Sequence, residues 1–527
     1  MSNNFRVTGL VSGLDTDQII KDLMKIQRAR VDQLSQKKVQ AEWKRSDYRT
    51  INNSVRALRD AAFDMKMEGP HQARKVSSSN EAAIAATATS SAAVGSYAVT
   101  VTQLAQGISK GSQGAVSEET NTDGTLKTLK EQFSLPDSIT FTLEGKMKTD
   151  GSGEQQAKVF TIDTTVATIS TLTAAINQHS STLGITAGYD ATNNRFFIST
   201  NGTGSDYGIK VTNDSANLLS HPNSNGGGSL KLLLLTDSLY QGQNAQFSFG
   251  DTPAMTSFTN TVTVNGITLN LRQGGGATST ITVQRDTDAI YNSIKSFIDQ
   301  YNSTIDTIHK ELSEERYSDY LPLTEEQKEK LSEKQQELWE EKSKSGMLRN
   351  DQYLYGVTSR IREKMGSVLT GVSTVMVEGK SVTHNSLASI GIVTGLYTDK
   401  GKLQLKNNGE NLRKAIENDP EGVEQLFTRQ SDIASERGIA QRLYDELDND
   451  FKEIVKKAGA ESIYNLYDDS YLGETINRYA KQIETVEDRL DEIEDRYYKQ
   501  YAALEKALNQ LNSQSNWLAQ QFSNSTK

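Results

Sequence analysis

Residues 475–527 carry a seven-residue repeat of large apolar side chains, and this repeat constrains the fold more than any other feature of the chain. Its members are Ile476, Ile483, Leu490, Tyr497, Leu504, Leu511 and Leu518. Tyr479, Val486, Ile493 and Ala507 fill much of the companion position, which Gln500 interrupts. The pattern predicts one long helix with a coiled-coil seam, for which we select Ile476, Ile483, Leu490, Ile493 and Tyr497. A long helix packed on its own domain is the alternative, and the two differ only in the partner.

The N-terminal segment is a natural partner for that helix. Asp15 is a predicted N-cap, followed by Gln18 as in a capping box, while Leu14 and Ile19 are placed as a hydrophobic staple. Two apolar stripes are expected on the helix that follows: Ile19, Leu23 and Ile26, and then Ile51, Val55, Leu58, Ala62 and Met65. Gly69-Pro70 ends it.

Charge supports the same pairing of the two ends. Residues 21–45 hold eight basic and three acidic side chains, whereas residues 481–499 hold seven acidic and four basic ones. We therefore expect the chain termini to meet, with charge setting their orientation more than the strength of the contact.

The middle of the chain, residues 75–285, is rich in Thr, Ser, Gly and Val and alternates in the manner of β-strands. Asn265-Gly266 within "TVTVNGITLNL" is a strong hairpin signal. Because almost no long helical pattern interrupts this zone, small antiparallel β domains are predicted. Residues 286–527 are mostly helical in pattern, and the charged stretch 325–344 is expected to be one solvated surface helix.

Composition excludes several classes of function. The chain has no cysteine, so disulfides, thiol nucleophiles and cysteine metal sites are absent. A net charge of -10 argues against nucleic acid as the main partner. No apolar run reaches the about 18 residues needed to cross a bilayer, and the opening "TGLVSGL" lacks the pattern of a cleavable signal peptide. The five histidines have no metal-ligand spacing and no nucleotide or hydrolase motif occurs, so an enzyme is not expected.

Several separated blocks resemble, in the same order, those of the bacterial flagellar filament cap family, also called hook-associated protein 2. They are "TGLVSGLDTDQIIKDLMKIQRARVDQL" near the N-terminus, "GSYAVTVTQLAQG" (95–107), residues 166–200, residues 285–306, residues 345–362 and residues 386–427. The block at 166–200 resembles the hook-and-flagellin IN motif, here Ile176 and Asn177. Together these blocks span most of the chain.

The resemblance implies an α+β multi-domain fold in which paired N- and C-terminal helices form a coiled-coil leg. A mainly helical domain and inserted antiparallel β-rich head domains complete it. The expected divisions are an N-terminal leg helix (1–45) paired with a C-terminal coiled-coil leg (475–527), a helical domain (46–75 plus 286–474), one β-rich head domain (76–110 plus 235–285) and a second head domain with the IN motif (111–234).

The function implied is a structural cap at the distal end of the bacterial flagellar filament. Such a cap promotes ordered flagellin polymerisation, prevents the loss of flagellin monomers and is required for motility. The implied partners are flagellin, further copies of the chain in a ring homo-oligomer, and the flagellar export apparatus with its chaperone. The implied location is secreted and extracellular, at the filament tip. No cofactor, catalytic residue, metal, nucleic acid or membrane insertion is expected.

Within this function, we predict that the exposed apolar residues of the two legs dock against flagellin. They are Leu10, Val11, Leu14, Ile19, Leu23, Leu504, Leu511 and Leu518. Two alternatives from other classes stay open at this point. The β-rich middle is also compatible with an adhesin that binds host mucin or glycans, and the terminal helices with an intracellular coiled-coil scaffold.

Overall fold

The computed structural model describes residues 15–116, 119–148, 153–223, 228–377, 379–460 and 468–524. The chain divides into two compact units, one built from its two ends, Met1–His71 and Thr287–Lys527, and one from Gln72–Asp286. The helices are α1 (Thr16–Met65), α2 (Leu129–Phe133), α3 (Ile169–Asn177), α4 (Ser180–Leu183), α5 (Thr287–Ser313), α6 (Glu325–Glu329), α7 (Glu333–Lys344), α8 (Gln352–Gly366), α9 (Glu410–Asn418), α10 (Pro420–Thr428), α11 (Ile439–Ala458) and α12 (Tyr471–Asn524).

Most strands lie in the second unit. The strands are β1 (Arg74–Ser78), β2 (Ile84–Ala88), β3 (Gly95–Gln103), β4 (Ser109–Gly111), β5 (Ser138–Met147), β6 (Gln155–Asp163), β7 (Ile185–Asp190), β8 (Arg195–Thr200), β9 (Gly208–Thr212), β10 (Ser220–His221), β11 (Leu234–Leu235), β12 (Tyr240–Gln241), β13 (Ala245–Phe249), β14 (Met255–Ser257), β15 (Thr261–Val264), β16 (Ile267–Leu271), β17 (Ala277–Arg285), β18 (Val375–Val377), β19 (Lys380–Val382), β20 (Ile392–Thr394) and β21 (Leu403–Leu405). These elements confirm an α+β fold with paired terminal helices and antiparallel β sheets.

The helical unit is organised around α1, which packs along α5, α11 and α12. Its second apolar stripe is fully buried, as the spacing of three and four residues predicts: Ile51, Val55, Leu58, Ala62 and Met65. α5 contributes a facing apolar side whose members, from Ile290 to Ile308, are likewise buried. A core of this kind stabilises the C-terminal half of α1 by tertiary packing rather than by helix propensity.

The beginning of α1 differs from the sequence expectation in two respects. Asp15 caps the helix, because its carboxylate accepts a hydrogen bond from the Gln18 backbone N–H at 3.0 Å. The Gln18 side chain, however, donates to Asp22, so the second half of a capping box is not formed. The predicted stripe of Ile19, Leu23 and Ile26 is wrong by one residue. The structure buries Ile20 and Met24, and leaves Ile26 74% exposed.

The second unit contains several small sheets and two apolar cores. A five-stranded sheet has the order β1-β17-β3-β13-β14, and a three-stranded sheet has the order β15-β16-β2. One core lies among these strands and includes Val99, Leu269 and Ile281. The other core lies among the sheets β12-β9-β5-β6 and β4-β8-β7 together with α3, and includes Phe141 and Phe196.

The hairpin predicted at Asn265-Gly266 is present between β15 and β16. Both residues have positive φ, 49° and 75°, which a two-residue turn joining antiparallel strands requires. The helices described in this zone are short, as predicted, and the longest of them, the nine-residue α3, packs beside β7.

The chain enters and leaves the β-rich unit through neighbouring strands. β1 and β17 pair antiparallel with Arg74 opposite Arg285, and the Asp286 N–H donates to the Ala73 carbonyl at 2.9 Å. The whole unit is therefore an insertion whose two ends lie side by side. The finer division into two head domains, a helical domain and two leg segments stays a prediction.

Candidate functional site

Most of the sequence-predicted site residues lie on α1 and α12, which pack against each other. Arg45 and Arg49 of α1 contact Asp468, just before α12 begins, whereas Ile20 and Met24 near the start of α1 cluster with Leu490. As the chain advances along α12 its contacts move back along α1, so the two helices are antiparallel. We call residues 16–49 of α1 together with Asp468 and α12 the leg.

An ion-pair cluster holds one end of the leg. Asp468 accepts hydrogen bonds from Arg45 at 3.2 Å and from Arg49 at 2.9 Å. Arg49 also donates from Nε to the Ala458 carbonyl at the end of α11, at 2.8 Å. Burial of Asp468 opposes its ionisation, but hydrogen bonds from Ser470 and the two guanidinium charges outweigh this and lower its pKa. Because the three partners are partly buried, the cluster fixes α12 to both α1 and α11.

The apolar seam occupies the middle of the leg. Ile476 and Leu490 are each 6% exposed, and Ile483, Ile493 and Tyr497 are half-buried. Leu490 forms a small buried cluster with two α1 residues, Ile20 and Met24, which the sequence reasoning missed. Their position could not be read from α1 alone, because the side of this helix that is buried depends on where α12 lies.

Beyond Tyr501 the seam residues of α12 become exposed. Leu504, Leu511 and Leu518 are 47%, 60% and 49% exposed, and we call these three residues the distal strip. Trp517, adjacent to the strip and 59% exposed, is a fourth large exposed apolar side chain, and the heptad pattern did not select it. Each such side chain that became buried against a partner would contribute roughly 1.5–3 kcal/mol, offset by the entropy of ordering.

The remaining residues predicted to dock fall at the N-terminus. Ile19 and Leu23 of α1 are half-buried. Leu10, Val11 and Leu14 lie outside the residues that the structure describes. The docking role of all these side chains stays a prediction.

The segment after α5 that includes Pro322 and Glu326 contacts α1. The Pro322 carbonyl accepts a hydrogen bond from the Gln36 side chain at 2.8 Å, and Lys25 lies 3.7 Å from Glu326. Burial raises the pKa of Asp32 in this contact, against the opposing charge of Arg28. The charged stretch 325–344, predicted as one helix, is divided into α6 and α7.

A second electrostatic feature lies where α1 meets α5. Burial, followed by the negative charge of Glu311, raises the pKa of Asp47 to about 6. Lys344 acts in the opposite direction, and Glu314 adds a smaller repulsion. The ionised carboxylate of Asp47 is therefore less stable in the folded protein than it would be in water.

The two residues of the IN motif occupy structural positions in the β-rich unit. Ile176 is fully buried in the core around Phe141. The Asn177 side chain donates to the Ala187 carbonyl at 2.9 Å and accepts from the Ala187 N–H at 2.8 Å. The amide therefore pairs with β7 as a neighbouring strand would, and joins the end of α3 to the sheet edge.

The described residues contain no group of acidic or histidine side chains arranged to hold a metal ion. His71, one of the buried histidines, bonds the Met65 carbonyl through Nε2 at 2.8 Å and stacks on Phe427, which is a packing role. In the part of the chain that the structure describes, no helix is both long and apolar enough to cross a membrane.

Comparison with known proteins identifies two matching family models. The model "Flagellar hook-associated protein 2 N-terminus" matches residues 12–107, and "Flagellar hook-associated protein 2 C-terminus" matches residues 242–513. The flagellar hook-associated protein 2 of Halalkalibacterium halodurans is 32% identical, over 98% of this chain and 99% of the relative. The proteins of the same name from Thermotoga maritima and Escherichia coli K12 are 26% and 24% identical, over 99% and 98% of this chain and 96% and 98% of the relatives.

A solved structure has a similar fold. The crystal structure of the D1-D2-D3 domains of the flagellar cap protein FliD from Escherichia coli matches with a TM-score of 0.52 at 21% identity. The match covers 76% of this chain and 95% of that one.

Proposed function

Since this chain belongs to the flagellar hook-associated protein 2 family, we propose that it caps the distal end of the bacterial flagellar filament and directs the ordered addition of flagellin there. The family is structural rather than catalytic. A cap protein is part of the flagellum, lies at the filament tip and contacts flagellin. The relatives reported above all carry hook-associated names, so the adhesin alternative has no support among them.

The single observation that carries the proposed mechanism is the distal strip. It continues the heptad of α12 beyond Tyr497 for three further repeats, yet it is exposed in the described part of the chain. A coiled-coil seam of this type is suited to receiving an amphipathic helix, because apolar side chains at every seventh position fit between those of a partner. Flagellin would supply that helix, and the strip would release and rebind as each subunit is added.

The remaining parts of the proposal concern assembly and transport. Several copies form a ring, which covers the growth site and prevents the loss of flagellin monomers. The chain reaches the tip through the flagellar export apparatus, accompanied by a chaperone, and is therefore secreted. No cofactor or covalent chemistry takes part in this mechanism, and motility depends on it.

The test is to make the distal strip polar in the full-length chain. The variant Leu504→Ser/Leu511→Ser/Leu518→Ser should fail to restore swimming in a bacterium lacking its own cap protein, and flagellin should accumulate in the medium. Leu239→Ser/Leu338→Ser/Leu396→Ser is a matched control, because these leucines are also 47%, 52% and 76% exposed but are not part of α12. Full motility with the strip variant would refute the docking mechanism.

A further inference from the structure

A basic groove lies between the two helices of the leg. It has a volume of about 560 Å³ and is lined by four cations, Arg30 of α1 and Arg478, Lys481 and Arg489 of α12, with Glu474 as the one acid among the lining residues. Leu34 and Val486 also line it. The ion pairs of the leg use other side chains, such as those of Arg45 and Arg49, and none joins the four groove cations to a described acid.

In this groove the arrangement is opposite to the one expected from the charge of the two helices, whereas in another groove Lys25 and Arg28 of α1 lie with the acid Glu487 of α12, as expected. Arg30 of α1 approaches a run of cations on α12 rather than the acids of residues 481–499. Like charges that face each other across a gap repel, and a cleft lined by one sign of charge concentrates the field within it. A negatively charged occupant would relieve the repulsion and benefit from the field.

An acidic stripe of suitable length lies on the same helix. Glu484, Asp488 and Asp491 are spaced by four and three residues, so they share one side of α12, and all three are exposed. At about 1.5 Å per residue the stripe is about 10 Å long, and the cations from Arg478 to Arg489 extend over about 16 Å. At about 100° per residue, the stripe faces roughly a quarter turn away from the groove, so both surfaces are accessible at once.

We propose that the groove receives the acidic stripe of a second copy of this chain. The stripe and the groove are different surfaces of the leg, so each copy would offer its stripe to one neighbour and its groove to the other. A contact of this heterologous kind adds subunits in one direction and closes into a ring when the rotation per subunit permits. The inference rests on the ring proposed above and identifies the surfaces that join its members.

Charge reversal on the full-length protein tests this pairing. The groove variant is Arg478→Glu/Arg489→Glu, and the stripe variant is Asp488→Lys/Asp491→Lys; all four side chains are exposed, so folding should be unaffected. Sedimentation velocity at low salt should show self-association of the unmodified chain, weakened by high salt. Each variant alone should associate at least about tenfold more weakly.

Mixing the two variants distinguishes self-pairing from binding to another acidic partner. In an equimolar mixture the acidic groove of one variant meets the basic stripe of the other, and the remaining groove and stripe keep their original charges, so association should return. Failure of the mixture to associate would overturn the proposal, as would a variant that associates like the unmodified chain.

A control makes the same net charge change as the groove variant, but outside the leg. Lys334→Glu/Lys406→Glu alters two exposed lysines outside α1 and α12 and should associate like the unmodified chain. The inference fails separately from the docking mechanism, because the distal-strip variant keeps both charged surfaces. Normal self-association of that variant together with lost motility would leave the groove proposal intact.

Discussion

Replacing Leu490 by alanine is the sharpest test of how the leg is held together. Leu490 is 6% exposed and packs with Ile20 and Met24, which are 1% and 4% exposed. Leucine-to-alanine changes in buried positions cost about 2–5 kcal/mol, and the cost falls when neighbours can relax into the space. Since the cluster has few fully buried members, we expect a cost in the lower part of the range, about 2–3 kcal/mol.

Leu504→Ala is the matched control, since it is the same change on the same helix. Leu504 is 47% exposed, so only about half of its transfer free energy is lost, about 0.5–1 kcal/mol. The difference between the two variants, about 1.5–2 kcal/mol, corresponds to roughly tenfold to thirtyfold.

Hydrogen exchange followed by mass spectrometry measures this difference in the full-length chain. Amides of residues 471–495 should exchange roughly tenfold to thirtyfold faster in Leu490→Ala than in Leu504→Ala. Amides of α11 should be unaffected in both and serve as the internal reference. Equal exchange rates of residues 471–495 in the two variants would refute the view that this cluster stabilises the leg. An increase in the exchange of α11 amides as large as that of residues 471–495 in Leu490→Ala would refute it as well.

Three further changes test other contacts. Asn177→Ala removes both side-chain bonds to β7 and leaves two backbone groups unpaired, so thermal unfolding should show a loss of about 2–4 kcal/mol, against little change for the exposed neighbour Gln178→Ala. Asp47→Asn should raise the urea midpoint of unfolding at pH 7, and this gain should disappear toward pH 4. The reason is that the raised pKa of Asp47 in the folded state makes the stability of the unmodified chain fall as the pH rises through about 6. A difference in urea midpoint that stays the same at both pH values would contradict the assignment. Asp468→Asn should lower the free energy of unfolding by about 1–2 kcal/mol at pH 7. Because folding lowers the pKa of Asp468, this loss should vanish as the pH falls below the ordinary carboxyl range. The control Asp469→Asn, at an exposed neighbour, should change stability little.

The local parts of the fold could be predicted from the sequence. The buried stripe from Ile51 to Met65 follows from side-chain spacing within one helix, and the turn at Asn265-Gly266 from the backbone preferences of two residues. Strand order could not be predicted in this way. β17 lies between β1 and β3, although about 200 residues separate β1 from β17 in sequence, and pairing over such a separation has no local signal.

The candidate site was predicted less completely, and the reason is again non-local. Periodicity identified the seam of α12, but it could not reveal that the seam is covered at Leu490 and exposed at Leu504. Counting charges on the two helices predicted attraction, which agrees with the groove that Lys25 and Arg28 share with Glu487. It did not predict the second groove, where Arg30 lies near Arg478 and Lys481. Which side chains face each other depends on the rotation of each helix, and that rotation is set by packing.

The neighbouring ends of the β-rich unit also affect how the chain can fold. If this insertion of about 200 residues were a flexible loop, bringing its ends together would cost the helical unit about 4–5 kcal/mol in chain entropy. Once β1 and β17 have paired, Ala73 and Asp286 are adjacent, and α1 and α5 are separated only by a short link. The insertion can thus pair its own ends, through β1 and β17, without the helical unit being assembled. The same geometry would allow it to be exchanged for another domain, or removed and replaced by a short turn, without separating the helices on either side.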